Sequence, residues 1–245
     1  MTKASIDKRK KYIMVVDVET AGSLANPLIY DFGFAICDKK GNVYAKRSFV
    51  IQEIFDNQKL MQGAYFANKV PNYKYDIEEG KRLKVPFLQA RQEFINLMKE
   101  YNVQTISAYN LAFDRRALTK TTQYLCGANK KFLPLMVGEL EQLCIWSFAC
   151  EVIYTQPTFW KVAEKQNWFS PKGNMLTSAE IGWRYISKDY HFEEEHTGLE
   201  DVLIEIQILA KCYAQRKKHE SGILNHPWRI PNNTKKEKAN ISKNV

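Results

Sequence analysis

The stretch that decides the fold is Val15-Val16-Asp17-Val18-Glu19-Thr20, VVDVET. It continues the run Tyr12-Ile13-Met14, which follows a Lys-rich head. A β-branched apolar run of this kind reads as a buried strand, here over residues 11–18. Residues two apart on a strand face the same way. Asp17 and Glu19 therefore aim two carboxylates side by side at the end of a hydrophobic strand. Like charges that close resist burial unless something positive sits between them.

Working outward, residues 29–38 (IYDFGFAICD) and 42–51 (NVYAKRSFVI) are also apolar or alternating. Lys39-Lys40-Gly41 joins them with a Gly at the turn, a hairpin signal. Residues 86–101 space Phe87, Leu88, Phe94, Ile95 and Met98 as on a helix that opens with Pro86. Residues 103–109 read as a strand, 111–125 as a helix and 140–146 as a fifth strand. Helices follow over 147–154, 158–167, 178–187 and 198–217. The third of these is opened by the capping box Thr177-x-x-Glu180. Three strands followed by alternating helices and strands predict an α/β fold. Its five-stranded mixed sheet has antiparallel strands first, then parallel ones, flanked by helices. Residues 52–85 read as a short helix and a loop crossing the sheet.

Two helix starts carry an acid at the same offset. In Asn110-Leu111-Ala112-Phe113-Asp114 the Asp lies four residues after a good N-cap. In Thr197-Gly198-Leu199-Glu200-Asp201 it does so again, inside a Thr197/Glu200 capping box. Each acid alone is the ordinary complement of a helix dipole. Together with Asp17 and Glu19 they make four carboxylates on elements able to converge. Such a set suits hard divalent cations, Mg2+ or Mn2+. A pair of these about 4 Å apart is the arrangement that clamps a phosphodiester. His196 sits just outside the last cap and could take a proton from the attacking water. His191 is the competing histidine; the spacing of His196 to Asp201 is tied to the cap.

The formal net charge of +9 is uneven along the 245 residues. Residues 1–11 carry five Lys or Arg against one Asp, and residues 216–245 carry eight against two Glu. The body between them is nearly neutral. We therefore expect a basic N-terminal arm (1–11), one domain (12–217) and a basic, flexible C-terminal tail (218–245). Basic tails attract polyanions through counterion release. No stretch is long and apolar enough to span a membrane, and the N-terminus lacks a secretory core. The five cysteines show no metal or disulfide spacing, which fits a reducing, cytoplasmic setting.

VVDVETAG, YNLAFDRRAL and HTGLEDV, in that order, resemble the three motifs of the DEDDh (DnaQ-like) 3′–5′ exonucleases. That family includes the proofreading subunit of bacterial replicative DNA polymerase as well as phage and repair exonucleases. The similarity spans about residues 12–213. Its D-x-E-T-x-G pattern is met at Asp17, Glu19, Thr20 and Gly22, and N-x-x-F-D at Asn110, Phe113 and Asp114. H-x4-D is met at His196 and Asp201. The sister class would place a Tyr where Thr197 stands. The resemblance implies a ribonuclease H-like fold, with two divalent cations held by Asp17, Glu19, Asp114 and Asp201. It implies His196 as general base, and Thr20, Ala21, Gly22, Asn110 and Phe113 as residues holding the terminal nucleotide. The substrate would be nucleic acid with a free 3′ end, chiefly single-stranded DNA, cut to nucleoside 5′-monophosphates. A DNA polymerase or other replication or repair protein would be the partner. Tyr109 departs from the family, which often has His there. Residues 126–176, with Trp146, Trp160 and Trp168, exceed a minimal member and read either as extra core or as a binding surface. The alternatives are a catalytically silent module binding nucleic acid or a polymerase, and a carboxylate endonuclease.

Overall fold

The computed structural model describes residues 6–7, 9–132, 140–220 and 222–241. Three long strands open the chain: β1 (Ile13–Ser23), β2 (Asn26–Cys37) and β3 (Val43–Ile51). Short helices α1 (Gln52–Phe55) and α2 (Gln58–Met61), a 3-10 turn at Ala67–Lys69, and α3 (Val70–Glu78) lead to β4 (Leu83–Val85). Then come α4 (Phe87–Glu100), β5 (Thr105–Ala108), α5 (Leu111–Cys126) and β6 (Glu141–Cys144). The chain continues through α6 (Ile145–Val152), α7 (Pro157–Lys165), α8 (Ala179–Ser187), α9 (Gly198–Ala214) and α10 (Arg229–Ile241).

The sheet order is β4-β3-β2-β1-β5-β6. β1, β2 and β3 pair antiparallel, whereas β5 and β6 continue parallel beside β1. The expected α/β architecture is borne out, with six strands instead of five. The additional strand, β4, lies parallel to β3 at the outer edge. It falls in the stretch 52–85 read as helix and loop, because three residues with one buried side chain carry too little periodicity to show.

Strand parity sorts the apolar side chains into two cores. Met14, Val16, Val18, Phe32, Phe34 and Ile36 face α4 and α5. Ile13, Val15, Ala35 and Cys37 face α6 to α9. By the same parity Asp17, Glu19, Asp31 and Gly33 belong to the second face, beneath α9. β1 also runs further than residues 11–18. It continues past the two acids to Ser23 and turns tightly into Asn26, with an irregularity in the β1–β2 register between Glu19 and Thr20. The acids therefore sit inside a strand, at a bulge, and not at its end. Bulges re-aim side chains, and they concentrate beside functional sites.

Two further expectations change, and one open alternative is decided. α8 is capped by Ser178, whose hydroxyl accepts from Ile181 N at 3.3 Å, one residue later than the expected cap. Thr177 Oγ1 instead accepts from Trp146 Nε1 at 2.9 Å. The segment from 218 onward, expected as a flexible tail, carries helix α10. Asn232, buried, accepts from Met175 N at 2.9 Å and donates to Trp228 O at 2.8 Å. Its apolar periodicity is weak because one buried amide, rather than a stripe of leucines, makes the anchor. Trp160 and Trp168 are buried in the second core, so that part of residues 126–176 is core. Residues 1–5 of the basic arm and 133–139 lie outside the described residues. Among the described residues, no helix is long and apolar enough to cross a membrane.

Candidate active site

A cleft of about 460 Å3 opens above the bulge of β1. Asp17, Glu19, Asn110, Phe113, Asp114, His196 and Asp201 all line it. Residues from three distant parts of the chain thus meet, as their motifs anticipated. Asp17 and Glu19 come from β1. Asp114 comes from the first turn of α5, just beyond the C-terminal end of β5, and Asp201 from the first turn of α9. Thr20 and Ala21 are buried in β1 and do not line the cleft; neither does Gly22. Thr20 O accepts from Tyr65 N at 3.3 Å and so holds a rim residue. His191 is exposed and lies outside the cleft.

The helix α9 reaches this position through features the sequence did not single out. A Cβ at Gly33 would stand 2.1 Å from the Gly198 backbone, so only glycine lets the helix start press onto β2. Asp31, fully buried on β2, accepts from Gly198 N at 3.0 Å and from Tyr73 Oη at 2.6 Å. It caps α9 from another strand. The expected local cap is absent: the Thr197 hydroxyl donates to the Glu200 carboxylate rather than accepting a backbone N–H. Asn110 likewise sits at the cap position of α5 without a side-chain bond to its backbone. Arg82 lies beside Asp31 at 3.7 Å, Glu200 at 3.6 Å and Asp76 at 3.0 Å, joining α3 to the base of α9.

Electrostatically the cleft is an acid trap. Burial, then the Asp17 and Asp201 carboxylates, pushes Glu19 up to about 11. Burial raises Asp114 to about 8, and burial with Asp17 raises Asp201 to about 9. Asp17 is raised well above its ordinary range by burial and by Asp114. Asp17 Oδ2 and Asp201 Oδ1 are buried with no hydrogen-bond partner among the described residues. Orphaned carboxylate oxygens carry a desolvation cost that a cation would offset. The oxygen-rich donor set fits Mg2+ or Mn2+. Glu19, His196 and Asp201 bring ligand atoms within 4.8 Å of one another.

His196 adopts a left-handed backbone, φ 54°. Its ring stacks on Phe66, centroids 4.0 Å apart and planes 11° from parallel. Nδ1 lies 3.9 Å from Glu194 Oε2. Burial lowers the pKa of His196, which favours the neutral base. Glu194 is raised to about 7, by burial and then by Glu180. Glu205, one turn after Asp201 and buried, is a further acid lining the cleft; its Oε2 accepts from Tyr109 N at 3.1 Å. Leu24, Tyr65 and Phe66 complete the rim. Sequence signals for two of these existed: Asp31 interrupts an apolar run, and Glu205 stands on the apolar face of its helix.

No family model matches the chain, and no curated protein does either. Solved structures do match. The zinc-ion-bound form of the Escherichia coli exonuclease I–ssDNA complex aligns with TM-score 0.55 at 16% identity, covering 85% of this chain and 41% of that one. Product-bound exonuclease I aligns with TM-score 0.54 at 15% identity, covering 81% and 42%. The SSB/exonuclease I structure with inhibitor CFAM aligns with TM-score 0.51 at 15% identity, covering 81% and 40%. The fold is ribonuclease H-like. At such identity the matches speak for the fold alone, and this chain spans about two fifths of the proteins it matches.

Proposed function

We propose that the protein is a divalent-cation-dependent 3′–5′ exonuclease that releases nucleoside 5′-monophosphates from single-stranded nucleic acid, DNA in preference to RNA. The observation that carries this reading is the meeting of Asp17, Glu19, Asp114, Asp201 and His196 in one cleft, with two buried carboxylate oxygens unpartnered. Structures of the same fold hold ssDNA oligonucleotides, product and SSB. They support a single strand as substrate and a replication or repair protein as partner.

Asp17, Glu19, Asp114 and Asp201 would hold two cations. Once bound, these supply the positive charge that phosphodiester hydrolysis needs at the scissile phosphate and the leaving oxygen. The chain's own groups do the rest. Neutral His196, its ring fixed against Phe66, takes the proton of the attacking water. Glu194 faces Nδ1 and stabilises the imidazolium that results. Asp31 and the Gly33–Gly198 contact keep the start of α9 fixed, so that Asp201 does not move during the reaction. Phe113 on the cleft wall and exposed Tyr65 and Leu24 on its rim offer flat or apolar faces to unstacked bases.

The test uses a 3′-labelled oligonucleotide with Mg2+ or Mn2+. Labelled mononucleotide should appear first, circular single strands should stay intact, and Asp17→Asn should abolish release. Wild-type rates in that variant, or cleavage of circles, would exclude the proposal. Parallel digestion of matched DNA and RNA tests the sugar preference.

A further inference from the structure

The outer face of α5 carries a stripe of side chains that leads away from the cleft. Phe113, Arg116, Lys120 and Tyr124 fall within about 80° of arc on the helix, given its 3.6 residues per turn. Phe113 lines the cleft, and the Arg116 guanidinium lies 5.5 Å from its ring centroid. Arg116 is exposed, Lys120 is half-buried, and Tyr124 is 57% exposed. We infer that this stripe is the track for the 5′ side of a single strand whose 3′ end lies in the cleft. The inference rests on the nuclease reading and adds to it the path of the strand.

Charge sets this face apart. The charged residues of α5 are Arg115, Arg116, Lys120 and a single acid, Asp114, which is buried at the cleft. Arg115 turns aside to β6 and donates to Gln142 Oε1 at 2.5 Å. Among the described residues no ion pair engages Arg116 or Lys120. Two unpaired cations on a nearly neutral body complement a phosphate backbone. The acids of the cleft repel that backbone until cations bind, so a grip outside the cleft is needed to hold the strand. Tyr124 presents a large aromatic ring to solvent. Rings interleaved with cations hold a single strand without regard to sequence, because bases stack on the rings while phosphates meet the charges. Paired bases in a duplex are already stacked and offer Tyr124 no free face. From Phe113 to Tyr124 the helix rises ~17 Å, room for about five nucleotides at a stacked spacing of ~3.4 Å.

The experiment titrates the full chain with 5′-fluorescent oligodeoxythymidylates of increasing length, in chelator, so that monovalent salt alone sets the salt dependence. Affinity should rise with length and level off after about six nucleotides, one in the cleft and about five on the track. Arg116→Gln and Lys120→Gln should each flatten the slope of log affinity against log salt by about 0.7, the loss of one phosphate contact. Lys161→Gln is the control, since Lys161 is exposed on α7, which packs on the other face of the sheet, and it should leave the slope unchanged. Tyr124→Ala should weaken the longer oligonucleotides at least about fivefold without altering the slope, and Tyr124→Phe, which keeps the ring, should bind as wild type does. With Mg2+ present, the advantage in KM of a long oligonucleotide over a dinucleotide should shrink in the Arg116→Gln/Lys120→Gln double variant. Slopes unchanged in both cation variants, a slope flattened equally by Lys161→Gln, undiminished affinity in Tyr124→Ala, or tighter binding of blunt duplex than of single strand overturns the inference. Absence of release with Mg2+ or Mn2+ overturns the nuclease reading instead, and the slopes in chelator are measured independently of it.

Discussion

Asp201→Asn should make the metal-free protein more stable while destroying its function. In the folded, metal-free chain burial and neighbouring Asp17 raise Asp201 from its ordinary 3.8 to about 9. At pH 7 the folded state must hold a proton that the unfolded chain has released. That costs about 4 kcal/mol if Asp201 is treated alone. The repulsion is shared with Asp17 and Glu205, and an Asn amide left without partners costs about 1–2 kcal/mol. The net gain for the variant is therefore about 1–3 kcal/mol, or ~2–10 °C in Tm for a chain of this size. The sign with pH follows from the raised value. The wild-type contribution is fully favourable below about pH 4 and is lost as pH climbs toward 9, so the variant's advantage grows with pH. Thermal unfolding in chelator from pH 4 to 9 reads this directly. Added Mg2+ should raise Tm in wild type and leave the variant nearly unmoved. A variant less stable than wild type at pH 8 in chelator, or an advantage independent of pH, would refute an acid cluster held together against its own repulsion.

His196→Ala should lower the rate by a factor on the order of 10² to 10⁴ with cation affinity retained, as measured by single-turnover release. Gly33→Ala should displace α9, because its Cβ would meet the Gly198 backbone; cation-induced stabilisation should fall along with Tm. Glu205→Gln keeps an oxygen for Tyr109 N and should retain activity, whereas Glu205→Leu strands that buried amide and should cost about 1–3 kcal/mol in denaturant melts. Asn232→Ala should cost about 1–3 kcal/mol, since it leaves Met175 N without its partner, and should leave turnover on short oligonucleotides unchanged.

The sequence by itself determined the catalytic candidates. Strand parity put Asp17 and Glu19 on one face, and the two helix starts put Asp114 and Asp201 in first turns. That all four line one cleft is the work of packing; strand parity and first-turn position are local backbone rules that tertiary packing does not alter, so each acid was placed on its element correctly. The order of strands and most helices was legible for the same reason. What the tertiary structure alone decided is how those groups are held. Asp31 caps a helix that begins 167 residues later. Gly33 and Gly198 are ordinary glycines until their backbones are seen touching. Phe66 stacks on His196 from the stretch that sequence periodicity resolved least. The C-terminal segment reads as a solvated tail until Asn232 is found bonding Met175. Contacts between remote residues leave no period or spacing in the chain. They exist only where packing brings a buried donor and acceptor together, and burial then makes each of them costly to lose.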